Sequence, residues 1–165
     1  MTLRTTKLLL VLGLALLYTL VVFNNLTDYD SNYQFVRHVM MMDSTFPGNH
    51  GMWRALNSPA MHTVFYVSII AWEALTMLLC WVGGAHMALA LRGSPAAFHK
   101  AKRVAIAAMA LGLLQWLVVF LAVGAEWFLM WQSKSWNGQE PGLRMFMVVG
   151  ISLAILMQPD PEDQP

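Results

Sequence analysis

Four long apolar stretches alternate with polar segments along this chain, and the alternation predicts four membrane-crossing helices. Residues 8–23, 63–91 and 104–130 carry almost no charge and are long enough to cross about 30 Å of hydrocarbon. The fourth stretch, 141–157, reaches only about 25 Å at 1.5 Å per residue, so its end residues must stretch to the interfaces. Ser58 as N-cap and Pro59 at the first helical position open the second helix just ahead of its apolar run. The expected organisation is one membrane domain over 1–165, with spans of about 8–23, 60–91, 104–130 and 141–157. Its fold class is all-α: a polytopic four-transmembrane-helix bundle with a helical extracytoplasmic cap.

The cap is expected in the long outer loop, 24–59. Ser31 with Gln34 three residues on has the form of a capping box. Tyr33, Val36 and Met40, joined by Phe35, Val39 and Met42, then make a wide apolar stripe at helical spacing, with Arg37, His38 and Met41 toward the other side. Such a helix lies on the bilayer surface or over the top of the bundle. Phe46, Pro47, Gly48 and Asn49 end it as a turn. The tail 158–165, with Asp160, Glu162 and Asp163 among three prolines, reads as a short disordered end.

Composition agrees with the pattern: 58 % of residues are hydrophobic and 12 % charged, with a mean hydropathy of +0.53. A soluble domain of this length could not sustain that balance. Arg4 and Lys7 precede the first span, and Arg92, Lys100, Lys102 and Arg103 crowd the link between the second and third. Lysine and arginine stay cytoplasmic, which puts both termini and the basic link inside a bacterial plasma (inner) membrane. The first span lacks a small-residue cleavage site, so it is expected to be a retained helix. Cys80 is the only cysteine, which excludes an intrachain disulfide and thiolate-built metal clusters. Asn25-Leu26-Thr27 is formally a glycosylation sequon, but lies tight against the membrane. Trp127, Trp131 and Trp136 with Lys134 have the look of an interfacial aromatic belt.

Polar residues inside the spans are the candidates for function. Glu73 lies about 15 Å into its apolar run, near mid-bilayer, where an unpaired carboxylate costs at least a few kcal/mol. His62, Tyr66, Glu73, Thr76 and Cys80 recur at helical spacing and share a face of the second helix. Gly112, Gln115, Val119, Ala122 and Glu126 share one on the third. Turning the two antiparallel faces together pairs Glu73 with Gln115, and Glu126 with His62, Tyr66 or Arg144. Two readings follow. These are structural hydrogen bonds that specify packing, or Glu73 carries a proton or faces a ligand.

Asn24-Asn25-Leu26-Thr27-Asp28-Tyr29, the run from Asn32 through Val39, and Met42-Asp43 resemble the outer-loop motif of a family of small bacterial integral membrane proteins, domain of unknown function 2165. Ala71-Trp72-Glu73-Ala74 and Gly124-Ala125-Glu126-Trp127-Phe128, continuing through Met130-Trp131-Gln132-Ser133 to Trp136-Asn137-Gly138-Gln139, are similar to it as well. The resemblance covers nearly the whole chain. It implies a four-helix inner-membrane protein and brings no activity with it.

Specific chemistries fare less well. A bis-histidine haem needs ligands from facing helices at matched depth, whereas His62 and His86 stand at opposite ends of one helix. His38, Asp43, His50 and His62, with methionines nearby, offer a donor set suited to copper, of which His38, Asp43 and His62 are the best-placed three. Their spacing matches no ligand motif, and His38 is as well suited to hold Asp28, Asp30 or Asp43. Ser44, His38 and Asp43 cluster without an elbow or an oxyanion loop, and phosphate-cradling glycine patterns are absent. The basic link is too small for a nucleic-acid surface. The sequence therefore favours a non-enzymatic protein without cofactor, embedded in the bilayer, that associates with a membrane-protein partner or with copies of itself. The runner-up is an oligomeric proton- or ligand-conducting component centred on Glu73, and the last is an outer-face metal binder.

Overall fold

A computed structural model describes residues 2–160, and all regular structure among them is helical. Helix α1 (Thr2–Thr27) is followed by α2 (Tyr29–Met41), α3 (Pro59–Ala90) and the short α4 (Pro95–Ala101). Next come α5 (Arg103–Gln115), which continues as a π-helix over Trp116–Trp127, and α6 (Gln139–Met157). Four segments are long and apolar enough to cross a membrane: α1, α3, the continuous Pro95–Trp127 and α6. α1 packs on α3, α3 on α5, α5 and the π segment on α6, and α6 back on α1, closing a four-helix ring.

The buried stripes follow helical period. Along α1 they are Val11, Leu14, Ala15, Tyr18, Val22 and Asn25. Along α3 they are His62, Tyr66, Glu73, Thr76 and Cys80, as the sequence periodicity predicts, joined by Ile70, Gly83, Gly84 and Met87. Lipid tails are as apolar as leucine, so close packing rather than burial from water holds such helices together. Gly83 permits that closeness: a Cβ there would sit 2.6 Å from the backbone nitrogen of Ala105. Ser58 caps α3 through its hydroxyl, which accepts from the Met61 amide, and Pro59 takes the first position.

The expected cap is present and covers one end of the ring. Val39, Met40 and Met42 pack against Ala125, Phe128 and Met130 to make its own small core. Gly48 turns the loop at φ 76°, and the Asn49 amide donates to the Phe46 carbonyl. The capping box is not formed. α2 starts one residue after Asp28, close behind the end of α1; Ser31 Oγ donates to Asp28 and Gln34 Nε2 to Asp30. A helix that begins almost without a break gives its first amides little need of a separate cap.

The termini depart further from expectation. α1 begins at Thr2, so Arg4 and Lys7 are buried helical residues rather than flanking charges. Residues 158–160 are not a loose tail: Asp160 is buried between Lys7 at 2.9 Å and Lys102 at 3.2 Å. An acid that meets two buried cations has reason to stay packed. The expectation for 161–165, including Glu162 and Asp163, lies outside the described residues. Trp127 and Trp131 are exposed as a belt requires, but Trp136 is stacked on His38.

Candidate functional site

The polar residues gather in the cap-side half of the bundle. Glu73 is 2 % exposed, and its Oε2 accepts a hydrogen bond from Asn25 Nδ2 on α1 at 2.6 Å. Asn25 Oδ1 in turn accepts from Asn32 Nδ2 on α2 at 2.8 Å. The Tyr66 hydroxyl donates to the Asn25 carbonyl at 3.2 Å. The two side-chain amides donate in sequence toward the carboxyl, Asn32 to Asn25 and Asn25 to Glu73, from the cap through α1 to α3. Asn25 closes α1's buried stripe three residues after Val22, and that periodicity was the signal available for it. Hydropathy alone assigns Asn25 to the loop, because it falls just beyond the apolar run.

Glu73 is therefore level with the cap-side end of α1. At 32 residues, α3 extends about 48 Å, longer than the hydrocarbon is thick. Gln115 is fully buried and close enough to act on the Glu73 carboxyl, yet its amide completes no hydrogen bond. Gln115 thus stands beside Glu73 as the helical spacing predicts, and Asn25 adds the hydrogen bond that the spacing did not indicate. Below it, Trp116 Nε1 donates to the Tyr18 hydroxyl at 3.0 Å, and that hydroxyl sits directly against Gly112.

A cavity of about 240 Å³ opens above this cluster. Asn24, Asn25, Asn32, Tyr66 and Glu73 supply its polar lining, and Phe35, Trp116 and Phe120 supply rings. A smaller, wholly apolar slot of about 50 Å³ adjoins it beneath α2 and shares Phe35, Val36, Ile69 and Phe120.

The expected pairs at the mouth are not formed. Glu126 and Arg144 are both exposed, and His62 Nε2 meets the Leu56 carbonyl at 2.8 Å instead. The cause is the π-helix. Its i→i+5 bonding widens each turn, so residues counted at α spacing drift off the inner face. Gly112 and Gln115 precede it and point inward as expected, whereas Ala122 and Glu126 turn out, leaving Gly124 and Ala125 buried. No periodicity in the apolar run 116–125 announced the change.

On the cap, His38 Nδ1 and Asp43 Oδ2 lie 2.6 Å apart. The His38 ring stacks on Trp136 with centroids 4.6 Å apart and planes 7° from parallel. Arg37 donates to Gln34 at 3.2 Å, while Asp28 and Asp30 hold Ser31 and Gln34. His62 belongs to the α3 entrance and does not join His38 and Asp43. No group of three or more His, Cys, Asp or Glu suited to a metal occurs among the described residues.

At the opposite end, Lys7 and Lys102 both donate to the Gln158 carbonyl as well as to Asp160. Burial alone would raise the Asp160 carboxyl, but hydrogen bonds and charge from the two lysines hold it below its ordinary value. Arg4 donates to the Gly93 carbonyl at 2.9 Å and lies over the Phe98 ring.

An all-helical ring of four apolar spans, with polar groups turned inward and a packed cap, defines a polytopic integral membrane protein. Residues 3–159 match the family described as predicted small integral membrane protein (DUF2165), and the chain belongs to that family. No curated protein and no solved structure matches the chain.

Proposed function

We propose that this is a non-enzymatic accessory subunit that assembles with another membrane protein through its cap. The observation that carries the reading is a pre-ordered, exposed aromatic patch. Trp53, 74 % exposed, packs edge-to-face on Trp127, and Phe46 does the same on Trp131. Arg54 lies over both Trp53 and Trp127 and donates to the Glu126 and Trp127 carbonyls, fixing the arrangement. Trp and Arg gathered in one patch, with Trp53 exposed and Arg54 half-buried beside it, are the residue types that dominate interface energetics. Gentle solubilisation should recover a defined, identified membrane partner, and Trp53→Ser should lose it while remaining abundant. A wild-type chain recovered alone, or a partner retained by Trp53→Ser, overturns the reading.

The proposal places the protein in the bacterial inner membrane with both termini cytoplasmic, supported by the excess of Arg and Lys at the end opposite the cap. Reporter fusions active only outside should be active at Gly48 and Gly138 and silent at Gly93. The reverse pattern overturns the orientation.

A second reading is favoured by the carboxyl at the floor of a cavity: Glu73 holds a proton or a ligand for an oligomeric conducting assembly. Four helices are few for transport by one copy, so this reading requires self-association.

A further inference from the structure

We propose that the cavity over Glu73 is a binding site for a small organic cation, seated between the carboxyl and the rings of Tyr66, Trp116 and Phe120. The proposal rests on the second reading above and is independent of the assembly role.

Charge is the first argument. Among the described residues no Lys, Arg or His pairs with Glu73; its neighbours are the amides of Asn25 and Gln115. A carboxylate in such surroundings is expensive until a cation or a proton joins it. A ligand cation would supply the missing partner at a site where Asn25 already orients one carboxyl oxygen.

The lining then selects the kind of cation. Tyr66, Trp116, Phe120 and Phe35 line the same cavity as Glu73. Ring faces attract organic ammonium groups electrostatically, with Trp the strongest and most of all where water is excluded. An inorganic ion would instead need several oxygen ligands. Asn25 does not contribute to such a set: it turns its N–H toward Glu73, and its oxygen is already taken by Asn32.

Size bounds the ligand. At about 240 Å³ the cavity falls below the roughly 300–1,000 Å³ of drug-sized pockets. That admits one ring bearing a small ammonium head, and the adjoining apolar slot of about 50 Å³ has room only for a small alkyl extension.

The probe is benzyltrimethylammonium, titrated into the full-length protein in phosphatidylcholine nanodiscs. Trp116 in the cavity wall provides a fluorescence signal, and calorimetry provides the stoichiometry. Saturable one-site binding is expected, not displaced by neopentylbenzene, which has the same shape without the charge. Glu73→Gln should weaken binding at least tenfold. Displacement by neopentylbenzene would leave a ligand cavity but overturn its preference for cations, and this comparison needs no variant to fold. Unchanged affinity in Glu73→Gln also overturns the proposal. Absence of saturable binding by either compound would sink both the proposal and the ligand role of Glu73 on which it rests.

Discussion

Asn25 on α1 and Glu73 on α3 are joined by a 2.6 Å hydrogen bond from amide nitrogen to carboxyl oxygen. The contact links the cap to the membrane bundle alongside the cap's own apolar core, because Asn25 is itself held by Asn32 of α2. Polar contacts between membrane helices average about 0.6 kcal/mol, but truncating a partner of a buried acid also leaves that acid short of a donor. Asn25→Ala should therefore cost about 1–2 kcal/mol in detergent unfolding, toward the upper end of membrane values.

Glu73 itself discriminates more sharply. Glu73→Gln keeps an oxygen to accept from Asn25, so folding and abundance should be retained. Glu73→Lys sets an ammonium against the N–H₂ of Asn25 at a buried position inside the bundle and should lose several kcal/mol. Immunoblotting of membranes should show Glu73→Gln near wild-type levels and Glu73→Lys depleted. Equal abundance of the two would mean that position 73 is bathed in water.

The four spans, the cap helix and the inner face of α3 are legible in the sequence because each rests on period. Hydrophobic runs set the span count, and His62 to Cys80 keep strict α spacing to the end. The inner face of the third span is legible only as far as Gln115. Beyond it the hydrogen-bonding register changes, and a uniformly apolar run such as Trp116–Trp127 carries no polar mark from which the new phase can be read. Asn25 and Asp160 were missed for a different reason. Each lies at the edge of an apolar run, where hydropathy assigns a residue to solvent although its partners, Glu73, Lys7 and Lys102, are brought to it by tertiary packing.

Glycine positions separate close approach from open space. A Cβ at Gly112 would collide with the Tyr18 hydroxyl that Trp116 also holds, whereas one at Gly13 has nothing within 4 Å. Gly112→Ala is expected to cost about 1–3 kcal/mol by overpacking, and Gly13→Ala to be neutral or slightly stabilising. Thermal unfolding of the two variants side by side checks this; equal midpoints would show that Tyr18 yields freely.

On the cap, His38 contributes through two contacts, its Asp43 partner and the stacked Trp136 ring. The contact with Asp43 is partly exposed and therefore weak, so most of the loss on truncation should come from the stack. His38→Ala should lower stability by about 1–2 kcal/mol, and His38→Phe should recover much of that by keeping the stack. Metal analysis of the wild-type protein should find no stoichiometric transition ion. An ion lost on His38→Ala would reverse the assignment and make the pair a ligand set.

Asp160 gives the pH dependence its sign. Its carboxyl is held below the ordinary value by Lys7 and Lys102, so the folded state binds the proton less readily than the unfolded one. The contribution to stability is then fully present above the unfolded value of about 3.9 and is lost as pH falls through the lower folded value. Unfolding midpoints should thus be insensitive to this group between pH 5 and 8 and drop only in strong acid. Asp160→Asn should remove that acid-linked component and cost about 1–3 kcal/mol at neutral pH. This is less than the roughly 3–5 kcal/mol of a deeply buried broken pair, because the Gln158 carbonyl still receives both lysines. A variant as stable as wild type at pH 7 would show that the contact between Asp160 and the two lysines leaves the end of the bundle no firmer than it would otherwise be.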